Sequence, residues 1–172
     1  QLVRGRFVLV TPILGGLIRV VATSNVGLLL QNRRNRYFVV GGSNGADTAS
    51  LADGYPRSYD SVLRGYPVNQ FTGYGAKVTQ HVEVRTTAIK IGFTRLGGLV
   101  FFDAGHAADA LSKLSLYEDA GFGLRLLLPQ LNTFALRADW AFPLRTAPAT
   151  VNTPRVPAGW PGRMTFGFRQ VF

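Results

Sequence analysis

The residues that could do chemistry are few, and their types favour ion pairing over catalysis. His81 and His106 are the only imidazoles, and the 172 residues contain no cysteine. Metal ligation and acid–base work need such groups clustered, and these two lie in separate segments. No G-x-S-x-G, paired-carboxylate spacing or phosphate loop occurs, so an enzyme is not expected, and neither is a cofactor or a metal. What remains is arginine and a thin set of carboxylates: Arg64 in Leu63–Pro67 (LRGYP), Glu83, Asp103, and the neighbours Arg137 and Asp139. Arg33, Arg34 and Arg36 form the densest charge cluster. On residue type alone, Arg64 reads as a solvated loop charge and Asp103 as one residue of a polar wall.

The elements that must position these groups follow from composition and period. Hydrophobic residues make up 47% and charged residues 16% of the chain, whose formal net charge is +10; its mean hydropathy is +0.12. A nucleic-acid binder concentrates its cations on a polar surface; here they are spread through an apolar sequence, and no nucleic-acid partner is expected. The longest uncharged apolar stretch, near residues 96–102, falls far short of the roughly 20 residues of a membrane-spanning helix. The chain opens at Gln1 on a strand-like pattern with no signal peptide, so it reads as a mature segment or a fragment of something longer.

Period-two alternation dominates. In residues 76–88, Lys77, Thr79, His81, Glu83, Arg85 and Thr87 interleave with Ala76, Val78, Val82, Val84 and Ala88. The same rule predicts strands at 2–10, 14–22, 97–105, 119–128, 134–143 and 163–172, with a turn near Thr11-Pro12 joining the first two. Between 23 and 73 lies a long connection rich in Gly, Asn, Asp, Ser and Arg. Strands of this length suit a tilted crossing of a bilayer, which takes about 9–11 residues. Val82, Val84, Phe102, Phe122, Leu124, Trp140, Phe166 and Phe168 then face lipid, while bare Arg, Glu, Asp and Gly line a polar interior. A lipocalin-like barrel or a sandwich alternates too, with its apolar face inward. Seven strands is an odd number for a single-chain bacterial barrel, so strands are missing or the count is short by one.

Four local motifs in order carry a resemblance over residues 37–172. They are the approach Tyr37–Gly42 (YFVVGG) to the tip Leu63–Pro67; Phe101–Gly105 (FFDAG), containing F-x-D-x-G; Gly121–Arg125 (GFGLR) followed by Asp139–Leu144 (DWAFPL); and an aromatic last strand ending at Phe172. Together they resemble the C-terminal barrel portion of the BamA/TamA-like bacterial surface-antigen superfamily. Leu63 stands where that family usually has Val, and the 43–62 stretch makes this loop longer than the family's.

The resemblance implies an all-β transmembrane antiparallel barrel. Residues 1–172 would be the C-terminal half, about seven or eight strands, of a 16-strand outer-membrane barrel, and 23–73 a long extracellular loop inserted into the lumen. It implies a clamp of Arg64, Gly65 and Tyr66 with Glu83, Phe101, Asp103 and Gly105, in which the Arg64 guanidinium reaches both carboxylates from adjacent strands about 4.8 Å apart. It makes Phe166, Gly167, Phe168 and Phe172 an assembly signal and one side of a weakly paired seam. Arg33, Arg34 and Arg36, if at the outer rim, could meet lipopolysaccharide phosphates; a solvated loop is the alternative. The implied partners are outer-membrane lipid and lipopolysaccharide, the barrel assembly machinery, other outer-membrane or exported proteins, and missing strands or a second chain completing the barrel. The implied role is insertion, assembly or translocation of proteins at the bacterial outer membrane. A barrel anchoring or exporting an attached passenger of the lipase-linked type is the alternative, and a structural barrel or porin the third.

Overall fold

Side chains that alternate in polarity over a dozen residues can satisfy both sets only in a sheet with two different surroundings. The computed structural model describes residues 2–29, 38–42, 63–128, 134–151 and 153–170. Its strands are β1 (Leu2–Ile13), β2 (Ile18–Leu29), β3 (Phe38–Val40), β4 (Phe71–Gly73), β5 (Ala76–Thr86), β6 (Ile89–Ile91), β7 (Thr94–Ala108), β8 (Tyr117–Leu128), β9 (Phe134–Pro143) and β10 (Arg163–Gln170). Eight of them form one sheet in the order β1-β2-β5-β7-β8-β9-β10, with β6 on β7, while β3 and β4 pair separately. Every pairing is antiparallel. The fold class is therefore all-β, and among the described residues no helix is long and apolar enough to cross a membrane.

Register assigns the two faces. His81 lies opposite Asp103, Asp103 opposite Asp119, and Gly123 opposite Asp139. These odd-numbered positions share the face on which β3, β4 and the LRGYP tip pack, hereafter the inner face. The cluster of Phe38, Val40, Leu63, Tyr66, Phe71, Ala107 and Ala147 is buried there. The even-numbered positions form the outer face, where the large apolar side chains are uncovered: Val100 is 56% exposed, Leu124 54% and Phe166 72%. Val82, Phe102 and Phe122 are exposed alongside them, and Val84 and Trp140 are half-buried. By contrast Asp103, Asp119 and Asp139 on the inner face are all buried. Carboxylates inside and phenylalanines outside invert the distribution of an ordinary water-soluble domain.

Several boundaries differ from the sequence reading. The first turn is not at Thr11-Pro12: β1 continues to Ile13 and the chain reverses over Leu14–Gly16, with positive φ at Leu14 (52°) and Gly15 (64°). Proline signals a turn, but β1 is an end strand, where proline is tolerated. Strand β2 begins at Ile18 rather than residue 14 and runs to Leu29, so residues 23–29, expected in the long connection, are sheet. The rest of that connection is not all irregular, since Phe38–Val40 pairs with Phe71–Gly73. The short β6 also went unread; it continues the β5 edge after a break at Thr87-Ala88, where the Thr86 hydroxyl accepts from Gly98 N at 2.9 Å.

The connections sort by length to the two ends of the sheet. The turn at Leu14–Gly16, the β5–β7 tip around Gly92, the end of β8 and the start of β9 lie at one end. The long β2–β5 connection, the β7–β8 loop around Leu111–Lys113 and the β9–β10 loop lie at the other. The tip reaches the inner face from this long-connection end.

Candidate functional site

The tip is built by the β3–β4 hairpin. After β3 the backbone turns through Gly41 (φ 134°) and Gly42 (φ 86°), a region open mainly to glycine. Gly42 N then donates to the carbonyls of Leu63 and Tyr66, both at 3.0 Å, and Leu63 N donates back to Gly42 O at 3.0 Å. These bonds anchor the base of the tip. Gly105 makes room for the hairpin on β7, because a Cβ there would lie 3.3 Å from Val40 Cγ1 and 3.0 Å from Thr79 Cγ2.

From that base Arg64 projects onto the sheet. Its Nε and Nη2 donate to Asp103 Oδ2 and Oδ1 at 2.6 and 2.8 Å, a two-point fork. Its Nη1 meets Glu83 Oε1 at 2.8 Å, and its guanidinium carbon lies 3.5 Å above the centre of the Phe101 ring. One plane of donors thus satisfies two carboxylates while its face rests on an aromatic ring. The Arg64 side chain is 4% exposed and that of Asp103 fully buried. Burial opposes the guanidinium charge, but the hydrogen bonds and charge of Asp103, together with Glu83, more than offset it and hold Arg64 above its ordinary pKa. His81 Nδ1 lies 3.2 Å from Asp103 Oδ1, and Arg85 Nε donates to Glu83 Oε2 at 2.6 Å. The structure thus brings together Arg64, Glu83, Phe101 and Asp103.

Gly65 and Tyr66 carry the contact sideways. Gly65 N donates to Asp119 Oδ2 at 2.9 Å, and a Cβ on Gly65 would lie 2.7 Å from Asp119 Cβ. Glycine is needed here for close approach to β8. The Tyr66 hydroxyl sits between two carbonyls, Arg145 O at 2.6 Å and Glu118 O at 3.0 Å. Burial chiefly raises its phenol above the ordinary range, so it stays a donor. Its ring packs edge-on against Phe71 and Tyr117. Gln70 Nε2 donates to Pro148 O at 2.8 Å, which ties the segment to the β9–β10 loop.

Asp119 escaped the sequence reading because nothing in Tyr117–Gly121 (YEDAG) distinguishes it from a polar strand residue. Its place opposite Asp103 is the only signal that could have found it. A second cluster lies lower on the same face: Arg125 Nη1 and Arg137 Nη2 flank Asp139 at 2.6 and 3.2 Å. At the last strand, Phe166 is exposed on the outer face, and a Cβ on Gly167 would sit 3.1 Å from Arg137 Cγ. The Phe168 side chain, Phe172, and Arg33, Arg34 and Arg36 lie outside the described residues. Among the described residues no group of His, Cys, Asp and Glu is placed to hold a metal ion. No family model, no curated protein and no solved structure matches this chain.

Proposed function

We propose that this chain is the C-terminal portion of an outer-membrane β-barrel of the BamA/TamA-like surface-antigen type, with a role in inserting, assembling or translocating proteins at the bacterial outer membrane. The observation that carries the reading is the buried Arg64 fork on Asp103 and Glu83, made by a loop folded onto the polar face of an antiparallel meander. The opposite face supports it, since it presents Val82, Val100, Phe102, Phe122, Leu124 and Phe166 where hydrocarbon would be the natural solvent. Further strands, of this protein or of a second chain, would close the sheet into the 16-strand barrel. The short turns would lie on the periplasmic side and the long connections outside, as is usual for such barrels.

The test is depletion of the full-length protein in its host, followed by quantification of outer-membrane barrel proteins, alongside proteoliposomes of the purified protein offered an unfolded porin. Loss of porins in the cell and faster porin folding in the proteoliposomes are expected. Normal porin levels with an unchanged folding rate would reject the insertion role; failure of the protein to fractionate with the outer membrane would reject the barrel itself.

A further inference from the structure

Charge is divided unevenly along the strands. None of the 9 Asp and Glu residues falls in 10–23, 84–102 or 120–138, the stretches running to and from the short turns. Those stretches carry Arg19, Arg85, Lys90, Arg95, Arg125 and Arg137. Register puts them on the inner face in three facing pairs: Arg19 opposite Arg85, Lys90 opposite Arg95, and Arg125 opposite Arg137. Like charges directly across a ladder are destabilising. Glu83 offsets Arg85, and Asp139 offsets Arg125 and Arg137. Arg19, Lys90 and Arg95 are exposed and make no ion pair among the described residues.

We infer that the inner face at the short-turn end is a binding surface for an acidic polypeptide segment in extended conformation. The cations do not converge on a point. They lie across β2, β5, β7, β8 and β9, four strand spacings or about 19 Å, which is too wide for one small anion and close to the length of six extended residues. The inner strand positions between them, such as Gly97, Leu99, Gly123 and Leu127, carry no ring. Phe93 is exposed at the β6–β7 turn, but a lone ring gives no track of successive stacked bases, which favours a carboxylate-bearing peptide over single-stranded nucleic acid. The surface deepens the proposed function by naming a class of client, and it rests on that reading only for the side of the membrane on which this mouth opens.

The experiment uses the full-length protein in detergent micelles and a fluorescein-labelled Glu-Ala repeat peptide, followed by anisotropy. A Lys-Ala peptide and an oligodeoxythymidine of equal length serve as comparators. The acidic peptide is expected to bind alone among the three, more weakly as salt rises. A triple variant Arg19→Gln, Lys90→Gln, Arg95→Gln is expected to lose about tenfold in affinity, the scale of three exposed charge contacts. The charge-preserving set Arg19→Lys, Lys90→Arg, Arg95→Lys should retain binding, which separates a charge effect from misfolding. No binding, binding unchanged in the triple variant, or tighter binding of the oligonucleotide would each overturn the inference. None of these outcomes depends on the porin assay, so the two can fail separately.

Discussion

Two arginine–carboxylate centres share the inner face and differ in what they join. Asp139 is served by Arg125 and Arg137 from its own and the neighbouring strand, so its contacts restate a pairing that the β8–β9 ladder already makes. Asp103 is served by Arg64, which reaches it from a loop 39 residues earlier. The first centre has two cations on one carboxylate and can lose one. In the second, one cation joins two carboxylates above a ring, and although Arg85 also meets Glu83, only Arg64 ties these carboxylates to the tip. The same chemistry is a reinforcement in one place and a single fastening in the other.

That contrast breaks most sharply at Arg64. Arg64→Ala leaves the buried Asp103 without its guanidinium while Glu83 keeps only Arg85, and removing one partner of a buried pair costs about 3–5 kcal/mol. The expected result is a tip that proteases cut while the sheet persists, seen by limited proteolysis with mass mapping. Arg64→Ala with Asp103→Ala should be little worse than either change alone, because the residues act as a unit. Gly65→Ala comes next. The new methyl must displace the tip or Asp119, an overpacking cost of about 1–3 kcal/mol, and the same proteolysis assay should show partial release.

Tyr66→Phe should cost about 0.5–1.5 kcal/mol, one hydrogen bond's share. It also carries a pH signature. The phenol is raised in the folded state, so its contribution is intact below the free phenol value near 10 and is lost as pH rises through the higher folded value. Alkaline release of the tip should therefore be steeper in the native protein than in Tyr66→Phe. Smallest of all is Arg125→Gln: Arg137 still meets Asp139, Arg125 is 25% exposed, and a loss below about 1 kcal/mol is expected. A urea midpoint shifted as far as that of Arg64→Ala would erase the distinction between the two centres.

What the sequence made legible was whatever period and local motif encode. Alternation located the seven long strands and put Glu83 and Asp103 on one face, because a side-chain period of two survives any error in strand ends. It misplaced the first turn, since Pro12 marks a turn and an end strand equally well. The pairing of Phe38–Val40 with Phe71–Gly73 was hidden, because two three-residue strands so far apart have no period to show. Asp119 was hidden for a related reason: its partner is a backbone N–H, which every residue but proline carries, so no residue type announces it. The phenylalanines of the outer face were visible as a pattern, whereas the apolar cluster around the tip draws on β3, β4, β7 and two loops and belongs to no single run.

The direction of the tip's bonds bears on the order of folding. Arg64, Gly65, Tyr66 and Gln70 take their long-range partners from Glu83, Asp103, Glu118, Asp119, Arg145 and Pro148. Every one of these comes later in the chain, at separations of up to 79 residues. The tip's last partners, Arg145 and Pro148, come within reach only once β9 and the loop after it are in place. Before β5, β7 and β8 pair, the tip has only its own hairpin to hold it, and closing so long a loop carries an entropic cost that no nearby contact repays. Locking of the tip is thus a late event that reads out correct pairing of β5, β7, β8 and β9 together, and a protein with any of those ladders out of register would keep a loose tip as the mark of its error.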